Sequence, residues 1–279
     1  MIRGAVLGGD VGKSRSPAIH NAAFAALGLE GRYGAFSVEP AGFRRLVRRL
    51  FNEGYDYLNV TIPHKKAAAE LADSASALVG QVAAANTLLA RRRGHKLTVR
   101  AENTDGYGLL AALGDLGVVP QRGEVFVMAG SGGAAAGALA ALLGAGAKVR
   151  IVARRPPAAR ALARRFPESV KRRIEVAAWT AQTMAAALDG ARALVSAVPA
   201  AAWAGEGARG LSGLGRGTAV LEMAYGAPSA LASEVRGRVS RYQDGLPMLV
   251  HQAARAVELL TGTLPPAEPL LRAARTAAP

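Results

Sequence analysis

Asn59-Val60-Thr61-Ile62-Pro63-His64-Lys65 is the stretch in which chemistry is best placed. Tyr57 to Val60 reads as a short buried strand. Pro63 cannot continue it, because proline lacks the backbone donor of a strand ladder. Its fixed φ suits the first turn of the helix that Lys65-Lys66-Ala67-Ala68-Ala69-Glu70-Leu71 spells. Thr61 and Lys65 therefore fall at a strand-to-helix turn, at the carboxyl end of a strand, where ligands bind in open α/β sheets. A threonine and a lysine in such a turn are ordinarily solvated surface, but three further polar stretches accompany them.

Ser14-Arg15-Ser16-Pro17 opens a helix, with Ser16 suited to the N-cap and Pro17 to the first helical position. The two hydroxyls either cap that helix or, with the free N–H groups of its first turn, form an anion site suited to a carboxylate. Asn86, in Ala84-Ala85-Asn86-Thr87-Leu88-Leu89, stands where a strand begins, which asparagine disfavours. It makes either a turn bond or a hydrogen bond to a ligand. In Asn103-Thr104-Asp105-Gly106, Asn103 or Thr104 can cap the next helix. Asp105 either complements the helix dipole or pairs with a lysine across a cleft.

The elements that must position these groups alternate along the chain. Ile2 to Gly8 is a first strand, and the Ser16 helix runs to about Leu27. Arg32 to Val38 is a second strand, followed by a helix to about Glu53. In it Arg44, Arg45, Arg48 and Arg49 alternate with Phe43, Leu46, Val47, Leu50 and Phe51, giving an apolar stripe and a solvated basic face. A short helix is expected near Ala75 to Val79, an exposed hairpin turn at Arg91-Arg92-Arg93-Gly94-His95, and a return strand from Leu97 to Ala101.

The character then changes. Glu124 to Ala129 is a buried strand, Gly130-Ser131-Gly132-Gly133-Ala134 opens an alanine-rich helix, and Lys148 to Val152 is the next strand. Strand, glycine-rich turn, helix, strand is a dinucleotide-binding βαβ unit: the turn lets backbone approach a pyrophosphate, which the helix N-terminus receives. After the second strand stand Arg154 and Arg155, with no acid for a ribose 2′-hydroxyl. Guanidinium groups fit a 2′-phosphate, so NADP is expected over NAD. Strands from Arg192 to Val198 and from Ala219 to Met223 follow, the latter leading to Tyr225-Gly226-Ala227-Pro228. Asp244-Gly245-Leu246-Pro247 precedes a long helix, Met248 to about Leu260, bearing Gln252; a last helix spans about Glu268 to Thr276.

Length and composition bound the function. The 279 residues suit two domains, and 51% are hydrophobic, as in an ordinary globular protein. No apolar run reaches membrane-spanning length and no charged, apolar leader is present, so no membrane partner is expected. The absence of cysteine excludes disulfides, a thiolate nucleophile and cysteine-based metal sites. A cytoplasmic enzyme is the natural reading, with no metal expected. The net charge of +15 raises nucleic acid as a partner, but the arginines are scattered along helices and aromatic residues are only 5%. A positive field that gathers anionic small molecules fits better.

Together these stretches resemble the shikimate dehydrogenase family, in the right order over nearly the whole chain. The resemblance rests on Ser14-Arg15-Ser16-Pro17-Ala18-Ile19-His20-Asn21, Asn59 to Lys65, Asn86-Thr87-Leu88, Asn103-Thr104-Asp105-Gly106, the glycine turn and Gly245 to Gln252. It implies NADP-dependent, reversible reduction of 3-dehydroshikimate to shikimate, with quinate dehydrogenase of the same fold as the nearest rival. A non-catalytic regulatory relative is disfavoured by retention of Lys65 and Asp105. The resemblance implies an α/β fold with a substrate domain over 1–103, completed by 247–279, and a Rossmann domain over 104–246. The C-terminal helices then return to the first domain. It casts Lys65 and Asp105 as catalytic. Ser14 and Ser16 would hold the substrate carboxylate, and Thr61, Asn86, Asp105 and Gln252 its hydroxyls, with Tyr225 close by. Gly130, Ser131, Gly132, Gly133, Ala134, Arg154, Arg155, Met223 and Gly245 would line the cofactor. The protein would work on a small molecule as a monomer or homodimer. Departures from the family pattern stand at Leu58, Ala85, Ala153, Ser196, Val198 and Glu222, most of them around the cofactor.

Overall fold

In the computed structural model the described residues are 1–94, 96–204, 206–226 and 229–277, so His95 of the expected hairpin turn, Ala227 and Pro228 lie outside them. The chain divides into two units, Met1–Gly108 with Leu249–Pro279, and Leu109–Met248.

The first unit is built from β1 (Ile2–Gly8), α1 (Ser16–Ala26), β2 (Gly31–Ser37), α2 (Pro40–Asn52), β3 (Tyr57–Val60), α3 (Lys65–Leu71), β4 (Ser74–Ala75), α4 (Ala77–Val82), β5 (Thr87–Arg93), β6 (Lys96–Glu102) and the start of α5 (Asp105–Asp115). Its sheet has the order β2-β1-β3-β5-β6-β4. β1 lies parallel to β2 and β3, whereas β5 runs antiparallel to β3 and β6. The α2 stripe works as expected: Phe43, Val47, Leu50 and Phe51 are buried with Leu7, Leu58 and Leu88 in one core.

Several local expectations are corrected. Pro63 is not in the helix; it follows a cis Ile62–Pro63 peptide in a turn closed by His64 N–H on the Thr61 carbonyl, and α3 begins at Lys65. Ser16 is not the N-cap. Arg15 occupies that position without a side-chain cap, and the Ser16 N–H is taken by Ser14 Oγ at 3.2 Å. The short helix starts at Ala77 because Ser76 caps it, accepting from the Val79 N–H. Asn86 stands just before β5, its carbonyl accepting from the Val60 N–H and its N–H donating to the Glu102 carbonyl.

The second unit continues through β7 (Val125–Ala129), α6 (Gly133–Gly144), β8 (Lys148–Ala153), α7 (Pro156–Ala163), α8 (Glu168–Lys171), β9 (Ile174–Ala178), α9 (Ala181–Leu188), β10 (Ala193–Ser196), α10 (Glu206–Arg209), β11 (Ala219–Glu222), α11 (Ala230–Val235) and β12 (Arg241–Gln243). The strands form the order β12-β11-β10-β7-β8-β9, every pairing parallel. That is a doubly wound Rossmann sheet, its order reversing between β7 and β10. Strands covered by helices on both faces need no polar alternation, which is why β10 and β11 are buried throughout.

α12 (Gly245–Thr261) and α13 (Ala267–Thr276) close the chain. α12 starts three residues before the expected Met248, because Asp244 Oδ1 accepts the Leu246 N–H and Pro247 sits in a first turn, where no donor is required of it. The unit boundaries at Gly108 and Met248 fall within α5 and α12. In the first unit Arg15 donates to the Ala274 carbonyl at 2.7 Å, fastening α13 to the start of α1.

An aromatic cluster underlies β1 and β3. His20 stacks on Tyr33 with ring centroids 4.0 Å apart, and its Nδ1 lies 2.7 Å from the Tyr57 hydroxyl. Gly4 leaves room for both tyrosines; a Cβ there would overlap them. Burial pushes the His20 pKa down to about 3. An unfolded chain takes up this proton below about 6.5, whereas the native one does so only near 3. The contribution to stability is therefore present above the higher value and falls as pH drops between the two, by up to about 1.4 kcal/mol per pH unit. Urea unfolding of His20→Gln should show a shallower loss of stability than the parent over that acid range. Equal slopes would mean that His20 is not kept neutral.

Candidate active site

Four residues predicted from the sequence meet in the first unit. β3 ends at Val60, the turn returns the chain through Thr61, and α3 begins with Lys65. α5 begins with Asp105, whose N–H is received by Asn103 Oδ1 at 3.0 Å. Lys65 Nζ lies 2.6 Å from Asp105 Oδ2, with the carboxylate side chain only 2% exposed and the lysine 11%. Asn86 Nδ2 lies 2.9 Å from the other oxygen of Asp105, 3.0 Å from Thr104 Oγ1 and 3.1 Å from Gln252 Oε1. Asp105 thus accepts on both oxygens.

The Asn86 amide cannot turn. Its Oδ1 accepts from the Thr104 N–H at 2.8 Å and from the Thr87 hydroxyl at 3.0 Å. Thr87 Oγ1 in turn accepts from Asn59 Nδ2 at 3.0 Å, and Asn59 Oδ1 accepts from the Tyr33 hydroxyl at 2.7 Å. Every donor in this series points the same way, from Tyr33 toward Asp105. Burial holds the Tyr33 pKa well above its ordinary value, so the hydroxyl stays a donor. Asn59, Thr87 and Thr104 were not singled out from the sequence as separate site residues. Their one signal was polar character beside buried strands.

Thr61 is tied by its N–H to the Leu7 carbonyl at 2.9 Å. Ser14 is half-buried and Ser16 buried at the start of α1. Among the described residues, none of the three side chains bonds to the Lys65 cluster. His64, inside the same motif, is structural: its ring stacks on Phe43 and its Nε2 lies 2.8 Å from the Val38 carbonyl.

The second unit carries the expected nucleotide elements. Gly130 has φ +104°, and a Cβ there would lie 2.8 Å from Val198 Cγ1, so the turn demands glycine. Gly132 is the N-cap of α6 and offers no side-chain cap, which leaves the first-turn N–H groups near Ala134 to an anion. Arg154 and Arg155 are exposed at the end of β8 and, among the described residues, pair with no carboxylate. This donor set fits a dinucleotide with a 2′-phosphate. Ser131 is half-exposed in the turn; Met223, Tyr225 and Gly245 are partly or fully buried after β11 and at the start of α12, with Gly245 N–H on the Ala224 carbonyl at 2.9 Å.

Most residues that depart from the family pattern settle into local contacts, but Glu222 Oε1 is buried without a hydrogen-bond partner among the described residues. Ser196 Oγ accepts from buried Trp203 Nε1 at 2.8 Å. Glu222, fully buried, accepts from the Tyr242 hydroxyl at 2.8 Å on Oε2. Burial, then that bond and the carboxylate's charge, raise the Tyr242 pKa. Leu58 joins the core, and Ala85 donates its N–H to the Lys65 carbonyl at 2.8 Å. Among the described residues there is no group of side chains that could hold a metal ion and no helix long and apolar enough to cross a membrane.

A family model described as the shikimate dehydrogenase substrate binding domain matches residues 6–88, and one described as the shikimate 5'-dehydrogenase C-terminal domain matches residues 245–275. The shikimate dehydrogenase (NADP(+)) of Anaeromyxobacter dehalogenans is 35% identical over 96% of this chain and 94% of its own. The crystal structure of shikimate dehydrogenase from Mycobacterium tuberculosis has a TM-score of 0.85 at 31% identity, covering 99% of this chain and 100% of its own. The shikimate 5-dehydrogenase of Thermus thermophilus, solved in complex with NADP(H) and shikimate, has a TM-score of 0.82 at 30% identity over 100% of both chains.

The Asn86 hub makes a stability prediction. Asn86→Ala strands the Thr104 N–H and one oxygen of Asp105 in a buried setting, which costs about 1–3 kcal/mol per unsatisfied group. Urea unfolding should show a loss of at least that size. A neutral result would mean that water replaces the amide freely.

Proposed function

Because the chain belongs to the shikimate dehydrogenase family, we propose that it reduces 3-dehydroshikimate to shikimate, reversibly, with NADP(H), in the route to aromatic amino acids. The observation that carries this reading is the Lys65–Asp105 pair, 2.6 Å apart at two helix starts and locked by Asn86. We assign the cytoplasm as its compartment, with the chain acting as a monomer or homodimer.

The bound cofactor supplies the hydride that adds to the ketone carbon. Lys65 Nζ then stabilises the negative charge growing on the ketone oxygen and delivers its proton there. Asp105 orients the ammonium with Oδ2 and, steadied on Oδ1 by Asn86, also receives a substrate hydroxyl. In the reverse direction Lys65 takes the hydroxyl proton back. The amide of Asn86 divides its two N–H groups among three acceptors. A substrate hydroxyl can displace Gln252 from it, leaving Gln252 to bind a hydroxyl of its own. Thr61 completes this hydroxyl reading, Ser14 and Ser16 receive the carboxylate, and Tyr225 stands close by. A site built for several hydroxyls rejects analogues that lack them, since its own polar groups would go unpaired. The Gly130–Ala134 turn holds the pyrophosphate, Arg154 and Arg155 the 2′-phosphate, and Met223 and Gly245 line the cofactor.

The direct test is NADP⁺ reduction by purified protein with shikimate and quinate side by side. Shikimate should be the faster substrate; a preference for quinate would reassign the substrate while keeping the fold and chemistry. Lys65→Ala should lower turnover by roughly 10² to 10⁴-fold with cofactor binding near normal. Its folded fraction must be checked, because Asp105 is left buried without its cation. Asp105→Asn should lower turnover and raise KM for shikimate as well. Parent-like turnover in Lys65→Ala would remove it from the mechanism.

Cofactor choice has a separate test. Arg154→Gln with Arg155→Gln should raise KM for NADP far more than for NAD. Equal effects on both would show that these arginines do not meet the 2′-phosphate.

A further inference from the structure

We propose that the outer face of the β5–β6 hairpin is a second ligand site, for an organic small molecule that carries two or more anionic groups such as phosphates. None of its residues belongs to the Lys65 cluster.

The placement follows from strand alternation. Leu88, Ala90, Val99 and Ala101 turn to the core. The residues in the opposite phase, Arg91, Arg93, Lys96 and Arg100, therefore share the other face. With Ser74 of β4 and Leu259 of α12 they line a concavity of about 710 Å³, within the usual range for small-molecule sites.

The charge within it is unbalanced. Arg93 stands directly across from Lys96, and Arg91 lies two residues along the same face. Like charges directly opposite one another weaken a strand pair. The carboxylates nearby are already engaged. Glu102 takes Arg100 at 2.7 Å, Asp73 accepts the Val99 N–H at 2.7 Å, and Glu258 takes Arg255 at 2.5 Å. Among the described residues, Arg91, Arg93 and Lys96 have no carboxylate partner. Three uncompensated cations round one concavity concentrate field there. Guanidinium forks match phosphate oxygens two at a time, and more than one anionic group is needed to meet three cations. Leu89 and Leu259 add an apolar wall beside the cations, on which the organic part of such a molecule can rest.

The test is calorimetric titration of the full-length protein, saturated with NADP⁺, using inorganic pyrophosphate as the probe. Three proteins are compared: the parent, Arg91→Gln/Arg93→Gln/Lys96→Gln, and Arg44→Gln/Arg45→Gln/Arg48→Gln. The last removes the same charge from the solvated face of α2. Parent protein should bind one pyrophosphate, the hairpin variant should bind it at least roughly tenfold more weakly, and the α2 variant should match the parent. The hairpin variant should keep parental turnover, which also reports that it is folded. No binding to the parent, unchanged binding in the hairpin variant, or equal weakening in both variants overturns the site, the last by reducing it to attraction toward net charge.

Discussion

The ion pair between Lys65 and Asp105 is the constraint on which the first unit depends. Taking both charges out of water costs several kcal/mol per ion, recovered only if geometry is good and the remaining oxygens are satisfied. Here Asp105 uses both oxygens, one on the ammonium and one on Asn86. Removing one partner of such a pair costs about 3–5 kcal/mol, because the other is left buried and charged. The elements that bring the partners together are therefore tied to one another more tightly than packing alone requires. Ala85 bonds to the Lys65 carbonyl, the Val60 N–H to the Asn86 carbonyl, and the Asn86 N–H to the Glu102 carbonyl. β3, α3, β5, β6 and α5 are thus fastened at the point where the charges meet.

Orientation is the second requirement. A primary amide can present either end, and an asparagine with its oxygen toward Asp105 would repel it. The Thr104 N–H and the Thr87 hydroxyl both donate to Asn86 Oδ1, which leaves only the NH₂ group for Asp105 and Gln252. Asn59 and Tyr33 set the direction of Thr87 in the same way. The buried network is fully paired at each of these groups, the condition under which such networks specify a single arrangement. One long helix, α12, contributes Gln252 from the far end of the chain and so closes the first unit around its own site.

The second unit solves a different problem. The central strands β7, β10 and β11 of its parallel sheet are apolar except for the last residues of β10 and β11. Glu222 and Ser196 are buried there, at the ends of β11 and β10, each received by an aromatic side chain with a polar atom, Tyr242 and Trp203. Ser196 is thus absorbed by local pairing, whereas Glu222 is paired on Oε2 alone and keeps Oε1 buried without a hydrogen-bond partner among the described residues, with the Rossmann strand order intact.

What the sequence determined by itself is what short-range chemistry can state. A glycine turn between an apolar strand and an alanine-rich helix, arginines with no acid after the next strand, and a lysine behind Thr61-Ile62-Pro63-His64 are each complete within a few residues. So is the amphipathic stripe of α2, whose apolar positions became the core. The tertiary structure decided which polar residues belong together. Asn86 meets Asp105 across 19 positions and Gln252 across 166, and nothing local distinguishes those bonds from a turn. It also assigned Ser14 and not Ser16 to receive the first-turn N–H of α1, and put Pro63 outside α3, because those outcomes turn on how the loop backbone closes. Patterns of apolar residues repeat with the period of the element and are legible in order. Hydrogen bonds between side chains depend on distances that exist only once the sheet has assembled.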